Sequence, residues 1–148
     1  MKTPLLFLPI SLVVLLTAVS PVMNTYSTTT TVNNRLLSGI WKSTIITNNT
    51  FTNNKLVDKE NSTNTEIYTF QGDNMFSLTQ GAFSIKGEWD INKDGNLVTV
   101  TTESGEAMQW QIQSLSSVQL KLFRSETIQM GSKTHQLETL VSCSRIVQ

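Results

Sequence analysis

Alternation with a period of two narrows the fold of this chain more than any other feature. Phe83, Ile85, Gly87, Trp89 and Ile91 fall on one face of an extended run, and Ala82, Ser84, Lys86, Glu88 and Asp90 on the other. A helix, repeating about every 3.6 residues, does not segregate residues in this way. Met108, Trp110 and Ile112 repeat the pattern against Gln109, Gln111 and Gln113, and Val118, Leu120 and Leu122 against Gln119 and Lys121. Tyr68 with Phe70, and Phe76 with Leu78, give shorter cases. Each run predicts a strand that buries one face.

Turn chemistry separates the runs. Gly72-Asp73-Asn74, Gly81, Lys93-Asp94-Gly95-Asn96, Ser104-Gly105, Ser116-Ser117 and Gly131-Ser132 supply residues that tolerate positive φ or bond to the local backbone. Asp94-Gly95 is a strong hairpin signal. Strands are therefore expected at about residues 39–47, 64–71, 74–80, 82–91, 96–103, 106–114, 117–125 and 134–147. That makes eight, the number that closes a barrel whose interior is either just filled or holds one small ligand. No crossover helix is visible, so the predicted sheet is all-β and antiparallel, an up-and-down barrel. Residues 48–64 break the rhythm. They are rich in Asn but carry Phe51, Leu56 and Val57. Two readings stay open for them: a lid across the barrel mouth, or a solvated insertion with a short extra strand at Leu56-Val57.

The N-terminus reads as a targeting segment. Lys2 precedes an uncharged apolar run over residues 4–19, the layout of a secretory signal. The run is short for a membrane span and contains Pro9. Ala18-Val19-Ser20 has the small-x-small form of a cleavage site, but Pro21 works against cutting there. Cleavage toward Ser27 and retention as an anchor both remain open. The expected organisation is a signal peptide at residues 1–20, a disordered linker at 21–35 and one barrel domain at 36–148. The protein is then extracytoplasmic: periplasmic, outer-envelope or secreted. It touches a membrane only through the N-terminal segment, if that is uncleaved.

Composition excludes several function classes. Acidic and basic residues balance at 11 each, so no basic surplus is available to neutralise phosphates, and nucleic acid is not an expected partner. Cys143 is the sole cysteine, which rules out an internal disulfide and reads as a small apolar core residue. His135 is the sole histidine, with no cysteine beside it, so no metal site is expected. No Gly-x-Ser-x-Gly elbow supports a triad on His135. Glu88 and Asp90 share a face but read as a solvated outer surface. No cofactor and no enzymatic activity are expected.

Gly39-Ile40-Trp41 opens the first strand, a large first connection and short hairpins follow, and a single arginine stands in the last strand. Over residues 36–147 this arrangement resembles the lipocalin (calycin-type) pattern, in particular the compact lipocalin-like domains exported by bacteria of the Bacteroidetes type. The resemblance implies that Leu36-Leu37 forms a short turn closing the barrel floor. It also implies that Trp41 points inward there and that Arg145 packs over its ring. Gly39, Trp41 and Arg145 would then be structural. The chain is short for a lipocalin, and it lacks the lipidated cysteine that many similar bacterial domains carry.

A binding site would come from aromatic residues on inward faces. Tyr68, Phe70, Phe76, Phe83 and Trp110, with Met108, are the expected ligand-lining set. Trp89 shares their inward parity. The expected function is binding of a small apolar or amphipathic ligand. The alternative is a packed barrel that acts as an envelope or secreted interaction module, recognising a protein partner.

Overall fold

The computed structural model describes residues 28–147; the predicted signal segment and linker residues 21–27 lie outside the described residues. One helix, α1 (Thr28–Leu37), precedes nine strands. These are β1 (Gly39–Thr52), β2 (Lys55–Ser62), β3 (Ile67–Phe70), β4 (Met75–Gln80), β5 (Phe83–Ile91), β6 (Leu97–Thr102), β7 (Ala107–Leu115), β8 (Gln119–Met130) and β9 (Lys133–Ile146). From β3 to β9 each strand pairs antiparallel with the next. β1 bonds β3 on one side and β9 on the other, so β1 and β3–β9 close an eight-stranded up-and-down barrel.

Inward-facing residues follow the period-two pattern, adjusted by bulges. A shift between Ser43 and Ile45 lets both Ser43 and Ile46 point inside. A second shift, between Ile112 and Ser114, brings Leu115 to the inner face with Ile112. The core joins Leu37, Trp41, Tyr68, Phe70, Phe76, Trp89, Val98, Val100, Trp110, Leu120, Leu122, Val141 and Cys143. Ser43 is the buried polar exception, and it is satisfied. Its hydroxyl donates to the Asn64 carbonyl at 3.0 Å and accepts from the Glu66 N–H at 2.8 Å.

Three expectations are corrected. Residues 28–35, read as disordered linker, belong to α1, and Leu36-Leu37 is its last turn rather than a separate turn. Threonine-rich sequence is a poor helix former, but tertiary contacts override propensity here. Leu37 is fully buried in the floor, and Asn33 Nδ2 donates to the Gly95 carbonyl at 2.8 Å, tying the helix to the β5–β6 turn. Val118, placed on an inward face, precedes β8 and is 59% exposed.

The third correction concerns residues 48–64. They form no lid. β1 runs on to Thr52, turns at Asn53 and Asn54, and returns as β2, far longer than a two-residue extra strand. Both turn residues have positive φ, 51° and 62°, as a two-residue hairpin of the primed type requires. β8 and β9 also overrun the barrel, pairing out to Met130 and Lys133. The result is a four-stranded sheet, ordered β2-β1-β9-β8, that rises about 20 Å above the other strands, from roughly seven residues at 3.3 Å each. We call it the wall. It stands at the open end, opposite α1. Asn53 N–H donates to the Thr134 carbonyl at 2.8 Å and locks its two hairpin tips together.

Candidate functional site

The floor is closed and structural. Arg145 in β9 lies over the Trp41 ring in β1, with its guanidinium carbon 4.2 Å from the ring centroid. It donates from Nη1 to the Ser38 carbonyl at 2.8 Å and from Nη2 to the Leu36 carbonyl. Trp41 Nε1 donates to the Leu37 carbonyl at 2.8 Å. The end of α1 thus receives three donors where its last carbonyls lack helical partners. Gly39 has φ 147°, and a Cβ there would strike the Arg145 guanidinium, so glycine is needed for the arginine to reach the helix.

Above the floor, aromatic side chains stack across the barrel. Phe70 packs on Phe76 at 5.2 Å between centroids and meets Trp89 edge-on at 5.6 Å. Trp89 Nε1 donates to the Gln71 carbonyl at 3.0 Å. Higher up, Tyr68 meets Trp110 edge-on at 6.4 Å. Of the six expected ligand-lining residues, Tyr68, Phe70, Phe76 and Trp110 are buried in this column, and Met108 is partly buried against it. Phe83 is apart from them. It has the inward parity of β5 but sits at the rim, 59% exposed, in an open depression of about 330 Å³ shared with Ile85, Lys86, Thr102 and Ser104.

Polar groups gather where the column reaches the open end. Tyr68 donates its hydroxyl to Glu66, two residues away on the same face. On the other side, the Arg124 guanidinium carbon lies 5.7 Å from the centroid of the Trp110 ring, and Arg124 is ion-paired with Glu126. A continuous chain of contacts, Glu66–Tyr68–Trp110–Arg124–Glu126, therefore spans the mouth. A small hollow of about 70 Å³ lies beside it, lined by Arg124, Glu126, Leu137 and Thr139. These four alternate on β8 and β9 in the register that places Leu120, Leu122, Val141 and Cys143 inside, so the inner face of the barrel continues up the wall.

Burial sets the electrostatics of this region. It pushes the Tyr68 phenol up, and the hydrogen bond to Glu66 and the charge of Glu66 add to the shift. Burial also pushes the Cys143 thiol up to about 12, again with a contribution from Glu66. Both groups are therefore neutral at physiological pH. Among the described residues, no cluster of three or more His, Cys, Asp or Glu side chains is positioned to hold a metal ion.

Sequence reasoning missed Arg124, Glu126, Leu137 and Thr139. The signal was present. Leu120, Leu122, Arg124, Glu126 and Ile128 keep one parity, so extending β8 past residue 125 puts an opposite-charge pair on the inner face.

The floor, the closed strand circuit and the up-and-down order together decide the architecture. It is a closed eight-stranded antiparallel up-and-down barrel. No protein-family model and no curated protein matches the sequence. Solved structures similar to it include apocrustacyanin C2 (16% identity, TM-score 0.46) and lobster apocrustacyanin A1 (17%, 0.47). The alignments cover 82% and 80% of this chain and 66% and 65% of those chains, so the chain spans just under two thirds of their length.

Proposed function

We propose that this lipocalin-like barrel is a non-enzymatic, exported protein that binds one small amphipathic molecule at its open end, above Trp110. The observation that carries this reading is the end of the aromatic column. Its last ring, Trp110, carries the Arg124 guanidinium over its face, and an apolar residue, Leu137, lines the small hollow beside Arg124. Below Trp110 the interior is occupied by side chains that touch one another, so the ligand sits over the core and not within it. The apolar N-terminal run supports export to an extracytoplasmic compartment, as in small bacterial lipocalin-like domains, and a mass spectrum of the mature N-terminus tests it.

Titration with cationic, anionic and uncharged amphiphiles, followed by tryptophan emission and native mass spectrometry, tests the binding. At least one class should bind with one molecule per chain, and Trp110→Phe should remove most of the emission change. If no amphiphile binds the folded protein, the reading is wrong. A second reading, a packed barrel serving as an interaction module for an envelope protein, is favoured by a separate observation. The inner face of the wall leaves Ile128, Met130 and Leu137 between 42% and 64% exposed, an apolar surface suited to a protein partner.

A further inference from the structure

The mouth contacts also bear on the charge of the ligand. An arginine at the mouth of a binding barrel invites an anion, but the partners of Arg124 argue the reverse. It rests on the face of Trp110, which attracts positive charge, and it is ion-paired with Glu126. On the far side of Trp110, Tyr68 stands edge-on to the ring and carries Glu66 on its hydroxyl. An aromatic face with one carboxylate, Glu126, at the guanidinium it holds is complementary to a cation, and Arg124 fills the cation's place. An anionic head approaching Arg124 would meet Glu126 directly. β2 adds Asp58 and Glu60 to the inner face of the wall, with Lys55 and Lys133 of the same face out at the two hairpin tips and His135 opposite Ile128.

We propose that the open end is a site for an organic cation bearing an apolar tail, an alkylammonium or alkylguanidinium, and that Arg124 is its resident competitor. The proposal rests on the open-end binding reading above. The ligand's head displaces Arg124 from Trp110 and takes over its pairing with Glu126. Arg124, 30% exposed at its side chain and close to the free edge of β8, swings outward to water. The tail lies along Leu137 and Ile128, which share the inner face of the wall. The cost of displacing Arg124 lowers the apparent affinity by the fraction of time the ring is free.

Three probes with the same twelve-carbon chain test this, each below its micelle concentration: dodecyltrimethylammonium, laurate and uncharged dodecyl maltoside. Binding is read by calorimetry and tryptophan emission, and the fold is checked by circular dichroism. The cation should bind most tightly. Arg124→Met should strengthen its binding by about tenfold by removing the competitor, and Glu126→Gln should weaken it several-fold. If laurate binds as tightly as the cation, or binds and is lost in Arg124→Met, the charge assignment is overturned while open-end binding stands. If neither the native protein nor Arg124→Met binds any probe, both fail. The comparison of head groups on the native protein decides the sign of charge even if a variant misfolds.

Discussion

Arg145 bonds two carbonyls at the end of α1 while lying over Trp41, and its removal has a distinct signature. Arg145→Ala deletes two charge-assisted hydrogen bonds to the end of α1 and the stack on Trp41. It should cost about 2–4 kcal/mol, read as a lower urea midpoint, and shift Trp41 emission. Lysine should rescue it poorly, because one ammonium does not bridge two carbonyls while lying flat on a ring. Gly87→Ala should also destabilise, by about 1–3 kcal/mol. A Cβ at Gly87 would collide with the Thr101 carbonyl oxygen and stand 2.8 Å from Thr102 Cα across the β5–β6 pairing. The buried thiol and phenol give a pH dependence of defined sign. The fold keeps Cys143 and Tyr68 protonated, whereas the unfolded chain releases those protons near the ordinary values of 9.0 and 10.0. Their contribution is complete below about pH 9 and declines as pH rises toward 12, by up to about 1.4 kcal/mol per pH unit for each group. Urea midpoints between pH 8 and 11 check this, and Cys143→Ala should show a shallower decline.

At the scale of elements, legibility followed the source of each strand's stability. β5 and β7 were readable because one face is buried and the other wet, so alternation marks them directly. β2 was not, because all but its last residue are exposed and there is no apolar face to alternate. What specifies β2 is its turn, Asn53-Asn54, and the hydrogen-bonded edge of β1. The Asn-rich composition around that turn disguised it as a loop. α1 was missed for a different reason. Its helical state comes from docking to the floor through Asn33 and Leu37, which no local pattern in Thr28–Leu37 encodes. Trp41 and Arg145 were paired by a family resemblance, because they are 104 positions apart in sequence and adjacent only through β1–β9 register. Among the expected site residues, inward parity placed five in or against the core. Parity alone does not say how far along the barrel a residue lies, hence the exposure of Phe83 at the rim. The wall carries its own prediction. In amide hydrogen exchange β2 should lose protection far sooner than Val141 and Cys143, because it is bonded on one side and buries almost nothing. Equal protection would mean that its free edge is covered in solution.

At the scale of the whole molecule, the two ends of the barrel differ in kind. One is sealed by α1, with Trp41 and Arg145 locked beneath it. The other opens beneath a four-stranded wall, with Trp110 and Arg124 at the threshold. The three tryptophans report on this division. Trp41 and Trp89 donate their indole N–H groups to the Leu37 and Gln71 carbonyls near the floor, whereas Trp110 stands at the open end. Following the three indole resonances by nitrogen–proton NMR, as a cationic amphiphile is added to the folded protein, tests binding at the open end most directly. The Trp110 resonance should move and saturate while those of Trp41 and Trp89 stay in place. Movement of Trp41 or Trp89 to the same extent would show that the ligand enters the core or the floor, and would contradict the account.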